Sequence, residues 1–233
     1  MTRRHLVTGA ASGIGAAIAD LLHERGDELW LLVRTEERAH QLSPAFPNAE
    51  IVVADLTDPA GLEKTLYDAV LPTELDSVLH IAGVVDLSPV AEQSVEQIRE
   101  QVDVNLISPM VLTRVLLPAL RARQGLVLVV NSGAGLTAHA DWSAYAASKF
   151  GVRAFADSLR AEEAAHGIRV TTVYPSRTAT PMQQKVHDQE GSDYDPSRWI
   201  QPDTVARSIL HVIDLPSDAS IPELTIRQGP SRP

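Results

Sequence analysis

The sequence predicts an α/β domain built on a doubly wound parallel sheet, and three observations carry that expectation. Short apolar runs alternate with longer segments of helical period along the whole chain. Most of those runs are solidly apolar rather than alternating, as strands covered by helices on both faces must be. A length of 233 residues suits one domain, and no internal repeat, low-complexity tract or linker divides residues 1–233.

The elements follow in order. His5–Thr8 reads as the first strand, and Gly13–Arg25 as a helix that Gly26 ends through a left-handed residue. Glu28–Val33 is the second strand, Glu36–Leu42 a short helix and Glu50–Ala54 the third strand. Asp58 followed by Pro59 supplies an N-cap and a first-turn proline for a helix over Ala60–Val70. Ser77–Ile81 is the fourth strand. Val95–Arg123 then keeps helical period for a long stretch, with Pro109 and Pro118 expected to kink or break it. Leu126–Asn131 is the fifth strand, Ala144–His166 a long helix closed by Gly167, and Arg169–Tyr174 the sixth strand. Residues 175–202 are polar and irregular, and that length inside a compact domain predicts a functional loop or lid. Asp203–Ile213 is the last helix and Leu224–Ile226 the seventh strand.

Composition narrows the function classes. With 20 Lys+Arg against 30 Asp+Glu, the net charge of −10 argues against a nucleic-acid partner, which wants a basic stripe. The absence of cysteine excludes disulfides, thiol nucleophiles and Cys-ligated metal centres, and no metal site is expected. The start, MTRRHLVTGAASGIG, lacks the apolar stretch of a secretory signal. Uninterrupted apolar runs such as Leu126–Val130 fall far short of the ~20 residues that cross a bilayer. A soluble, cytoplasmic protein without a membrane partner is the expectation.

Thr8–Gly15 reads TGAASGIG between the first strand and the first helix. Its glycines allow a tight turn and close backbone approach, and the helix N-terminus offers free N–H groups to a pyrophosphate. Gly9, Ser12, Gly13, Ile14 and Gly15 are therefore candidate cofactor-binding residues. In a dinucleotide fold, the residue after the second strand reads the adenosine ribose, and an arginine there suits a 2′-phosphate. Arg34 holds that place, with Thr35 and Arg38 as helpers, so NADP(H) is favoured and NAD(H) stays open. Glu36, Glu37 and the neutral Ser12 weigh against it.

Tyr145 and Lys149 stand four apart in SAYAASKFG, on one face of a helix. A tyrosine beside an ammonium and an oxidised nicotinamide would have its pKa lowered toward useful acid–base work. Ser132, at the end of the fifth strand, points into the crevice where open α/β sheets bind ligands, and its hydroxyl can steady a substrate oxygen.

Together TGAASGIG, Ser132, Tyr145 and Lys149 resemble the short-chain dehydrogenase/reductase family in its single-domain, Rossmann-like form, over nearly the whole chain. The resemblance implies hydride transfer between a nicotinamide cofactor and a small carbonyl or alcohol substrate. Tyr145 would be general acid/base, and Lys149 would lower its pKa and bind the nicotinamide ribose. Ser132 would orient substrate, and Asn105 of VDVNLISP would complete a proton relay. It further implies that Asp55, with Leu56 beside it, receives the adenine amino group. Ala82 and Gly83 would approach the ribose, and Pro175, Thr178 and Thr180 would bind the nicotinamide side. His80-Ile81 replaces the family's Asn-Asn, and Ser176 replaces the glycine of its Pro-Gly. His80 is read as a satisfied supporting residue rather than a catalyst. Relatives pair their long helices across two-fold axes, so a homodimer or homotetramer is implied. The rival reading is a dinucleotide-binding sensor or interaction protein that keeps the fold without turnover. Intact Asn105, Ser132, Tyr145 and Lys149 speak against it.

Overall fold

A computed structural model describes residues 2–230. Seven strands form one sheet: β1 (Arg4–Thr8), β2 (Glu28–Val33), β3 (Glu50–Val53), β4 (Ser77–His80), β5 (Leu126–Val130), β6 (Arg169–Pro175) and β7 (Glu223–Ile226). Their order is β3-β2-β1-β4-β5-β6-β7 and every pairing is parallel. The helices are α1 (Gly13–Glu24), α2 (Glu36–Leu42), α3 (Pro59–Asp68), α4 (Val95–Val102), α5 (Ser108–Arg123), α6 (Ser143–Glu163), α7 (Pro181–Glu190) and α8 (Pro202–Ile213).

The period of two sorts the strand residues between two cores. Leu6, Val78, Val127 and Val129 face α3, α5 and α6 through Leu62, Leu112, Leu116 and Val152. Val7, Leu79, Leu128 and Val130 face α1 and α8 through Ile18, Leu22, Val205 and Ile209. The chain reverses its winding between β1 and β4, and a crevice opens there beyond the carboxyl ends of the strands.

The local punctuation behaves as expected. Gly26 and Gly167 take left-handed φ of 82° and 73°, and the Asp58 carboxylate caps α3 by accepting from the Gly61 N–H at 3.0 Å.

Two expectations need correction. The Val95–Arg123 stretch is not broken at Pro118, which sits inside α5; it is interrupted by a π-helical turn at Asp103–Ile107. Pro109 lies in the first turn of α5 and has no N–H to return to the Asn105 carbonyl, so the chain widens just before it. The same 29-residue stretch contains an 18-residue window whose mean hydropathy, 1.3, is apolar enough for a membrane span. Uninterrupted runs had hidden this, because its apolar residues are interspersed; in the fold Leu112, Leu116 and Leu120 are buried on the sheet. Finally, residues 175–202 are largely ordered by secondary structure. Thr180 caps α7 by accepting from the Gln183 N–H, Pro181 opens it, and Gly191 closes it at φ 64°. An isolated parallel bridge joins Thr178 to Ile200.

Candidate active site

The crevice holds a cavity of about 470 Å³ bounded by the ends of β1, β4, β5 and β6 and by α7. A second pocket of about 210 Å³ adjoins it at the ends of β2 and β3. Gly9, Ser12, Ala82 and Gly83 line both.

The glycine turn is shaped by what a side chain would strike. Gly9 and Gly13 hold φ of 76° and 55°; a Cβ on Gly9 would come 2.9 Å from the Ala82 nitrogen, and one on Gly13 3.0 Å from Thr180 Cγ2. Gly15 abuts the turn's own backbone, its Cβ falling 2.1 Å from the Gly9 oxygen. Ser12 is the N-cap of α1 and makes no side-chain capping bond. With Ile14 it faces the larger cavity. The hydroxyl of Thr8 accepts from the N–H groups of Ile81 and Ala82 at 3.0 and 3.1 Å, fixing the end of β4 against the turn. A backbone-lined cradle at a helix N-terminus fits a dinucleotide pyrophosphate.

The second pocket gathers Arg34, Arg38, Asp55 and Leu56. Arg34 does not pair with Glu36 or Glu37; its Nε lies 3.5 Å from Asp55 Oδ2. The other Asp55 oxygen accepts from the Thr57 N–H and hydroxyl at 2.9 and 2.8 Å. Thr35 is committed to capping α2, and Arg38 donates to Gln41.

At the opposite end, Tyr145 and Lys149 are both 5% exposed, one turn apart on α6. Lys149 Nζ sits 5.7 Å from the Tyr145 ring centroid and donates to the Val130 carbonyl at 3.2 Å. Burial pushes the Tyr145 phenol up to about 12, against a hydrogen bond with Ser132 that pulls it down. Burial pushes Lys149 down to about 8. At the phenol, burial outweighs the Ser132 hydrogen bond. Ser132 accepts from the Ala134 N–H at 3.2 Å and caps a single 3₁₀ turn at Gly133–Gly135.

Asn105 sits in the π turn with its side chain spent: Oδ1 accepts from the Val84 N–H at 2.9 Å, while Nδ2 donates to the Val84 carbonyl and to Ser148 Oγ. The amide thus clamps the irregular segment that follows Gly83. Pro175, Thr178 and Thr180 line the same cavity as the glycine turn, and Thr180 closes on Gly13. His80 bonds Thr113 Oγ1 through Nε2 at 2.8 Å, while its buried Nδ1 finds no partner among the described residues. It is a support only half satisfied.

One residue escaped the sequence reading. Asn131 takes the Ser132 N–H on Oδ1 at 2.8 Å and donates from Nδ2 to the Lys149 carbonyl at 3.0 Å. It ties the serine strand to the lysine helix. Its place beside Ser132 was the only available signal. Trp142 packs edge-on to Tyr145 with centroids 5.7 Å apart, whereas Trp199 packs on His187 away from the reacting groups.

Comparisons with known proteins bear on the family and the fold. Residues 3–191 match the short chain dehydrogenase family. An uncharacterized oxidoreductase of Staphylococcus epidermidis is 30% identical over 226 residues, covering 95% of each chain. A short chain dehydrogenase of Shigella flexneri, solved in complex with NADP, superposes with a TM-score of 0.85 at 27% identity, covering 96% of each chain. Another from Sphingobium yanoikuyae, in complex with NADPH, gives 0.77 at 25% identity over 96% of this chain and 87% of its own. By sequence match and by fold, the chain belongs to the short-chain dehydrogenase/reductase family of oxidoreductases.

Proposed function

We propose that this protein is an NADP(H)-dependent carbonyl reductase, interconverting a ketone or aldehyde with the corresponding alcohol. The observation that carries the reading is the gathering of Ser132, just past β5, and Tyr145 and Lys149, on α6, around the same cavity as the glycine turn. The bound dinucleotide would supply the hydride for the carbonyl carbon, or accept it in the reverse direction. Its pyrophosphate would lie on the N–H groups of Gly13 to Gly15, its adenosine between Arg34, Asp55 and Leu56, and its nicotinamide end against Pro175, Thr178 and Thr180.

Ser132 and Tyr145 hydrogen-bond a common substrate oxygen in this reading. The Tyr145 phenol gives its proton to that oxygen as the carbon is reduced, and regains one through Lys149. A phenol held at about 12 by burial is a competent donor at neutral pH, and a lysine near 8 can pass a proton on. The Asn105 carbonyl suits the proton relay better than its side chain does, since Pro109 cannot donate to it and the amide is already engaged. Exposed Ile107, Met110 and Phe150, on the π turn, α5 and α6, support assembly of two or four copies.

The test is consumption of NADPH and NADH against a carbonyl panel, with Tyr145→Phe in parallel. Turnover that Tyr145→Phe lowers by about two to four orders of magnitude supports the assignment. Tight dinucleotide binding without turnover of any carbonyl would favour the sensor reading.

A further inference from the structure

Resting on that reading, we infer that the substrate is an uncharged carbonyl compound with an apolar, aromatic-sized flank, not a sugar, polyol or keto acid. Beyond the Ser132 and Tyr145 hydroxyls, the cavity wall is built from Val85, Ala134, Trp142, Met182 and Val186. Val85, Ala134 and Val186 are at most 5% exposed, and all five belong to one apolar cluster that includes the Tyr145 ring. Met182 and Val186 stand four apart on α7, so one helix face supplies two of the five.

The polar residues bordering that wall are largely committed. Gln183 is buried and its amide meets His187 Nδ1 at 3.0 Å. Arg177 is held by both carboxylate oxygens of Glu190, at 2.8 and 2.7 Å, and stacks over Trp199. His139 and Arg227 are exposed, which sets them on the rim. Ser176 Oγ is buried without a partner among the described residues and offers contact to one polar substituent. No described residue lining the cavity is Asp or Glu, in a chain with 30 of them. A substrate with several hydroxyls would leave them unpaired against Val, Met and Trp, whereas an aryl or alkyl group displaces water there at no such cost.

α7 is fastened so that this wall stays formed. Gln189 Oε1 accepts from the Leu87 N–H at 3.1 Å, and its amide donates to Asp86 Oδ1 at 2.5 Å. These bonds hold the helix to the segment that carries Val85.

The test measures kcat/KM with NADPH or NADH for three carbonyls of similar size: a phenyl alkyl ketone, a neutral ketose and an aryl keto acid. The phenyl ketone is expected to exceed both others by about tenfold or more, since a single mismatched group in such a pocket is worth about 10–200-fold. Met182→Gln with Val186→Asn should shrink that ratio. In parallel, the same compounds are titrated against Trp142 fluorescence with dinucleotide present and Trp142→Phe as the blank. Quenching is expected at the lowest concentration for the phenyl ketone. A keto acid preference that Arg227→Ala abolishes would overturn the inference and leave the oxidoreductase reading intact. Equal turnover of the ketose would overturn it as well. If no carbonyl is turned over, the oxidoreductase reading falls, and the order of fluorescence titrations still decides whether the pocket is apolar in its choice.

Discussion

Arg34 and Asp55 meet across the ends of β2 and β3, Nε to Oδ2 at 3.5 Å, with side chains 60% and 42% exposed. Burial works to raise the Asp55 carboxyl, yet the Thr57 N–H and hydroxyl and the Arg34 charge together hold it below the usual carboxylate value. The pair is open to solvent and weak, so a doubly charged 2′-phosphate can draw the guanidinium to itself.

Replacing Arg34 by Ala is therefore expected to raise KM for NADPH by about tenfold or more and to change that for NADH by less than about threefold. Asp55→Asn, which removes a negative charge beside that phosphate, should move the NADPH:NADH ratio of kcat/KM upward. The measurement is that ratio in all three proteins. A ratio unmoved by Arg34→Ala would mean that another residue selects the cofactor.

The pH dependence of reduction should be governed by Lys149. Tyr145, at about 12, stays a protonated donor through the working range, whereas Lys149, at about 8, loses its proton as pH rises through that value. Reductive kcat/KM is expected to be level in neutral solution and to fall above about pH 8. Lys149→Met should give a low, flat profile over the same range. A wild-type profile still level at pH 10 would exclude Lys149 as the titrating group.

What the sequence made legible was local, and what it hid was a matter of meeting partners. The strands, the glycine turn and the Tyr145/Lys149 pair are each set by neighbours a few residues apart, and all were readable. α7 was passed over because PMQQKVHDQE is mostly polar; only Met182 and Val186 show its buried spacing, although Thr180-Pro181 and Gly191 are ordinary start and stop signals. The sequence marked Pro109 and Pro118 alike, but only Pro109, in a first turn, adjoins the π turn, while Pro118 lies mid-helix. Arg34's pairing with Asp55 and Asn131's with Lys149 depend on strands and helices brought side by side by topology. Residue types alone could not predict either.

His80, where the family resemblance leads one to expect asparagine, makes an acid-stability prediction. Burial pushes its imidazole down to about 3. The unfolded chain takes up a proton as pH falls below the ordinary histidine value of about 6.5, and the folded chain does not until about pH 3. Protons therefore favour the unfolded state across that window, and stability contributed at neutral pH is lost as pH falls. At pH 5 the loss is about 2 kcal/mol, from about 1.4 kcal/mol per pH unit. His80→Asn removes the titrating group, so urea unfolding at pH 7 and pH 5 should show a smaller difference in the variant. Equal differences would mean that His80 is not buried neutral.

Asn131 makes the last prediction, because it couples the serine strand to the lysine helix and can be disturbed without touching either. A Cβ on Gly135 would come 2.4 Å from Asn131 Oδ1 and 2.9 Å from its Cγ, so Gly135→Ala must push that amide aside. Overpacking of this kind costs about 1–3 kcal/mol. The displaced amide would release the Ser132 N–H and the Lys149 carbonyl together. The glycine turn that would hold the pyrophosphate is untouched by the change, so kcat should fall about tenfold or more while the dissociation constant for NADPH stays within about threefold. Gly133→Ala is the control for folding, since nothing lies within 4 Å of a Cβ there and its φ is not left-handed. A melting temperature lowered by Gly135→Ala and kept by Gly133→Ala, together with the kcat loss, would identify Asn131 as the residue that positions the reacting pair. If Gly135→Ala instead weakens NADPH binding as much as it lowers kcat, the disturbance reaches the whole cleft and Asn131 has no such separate role.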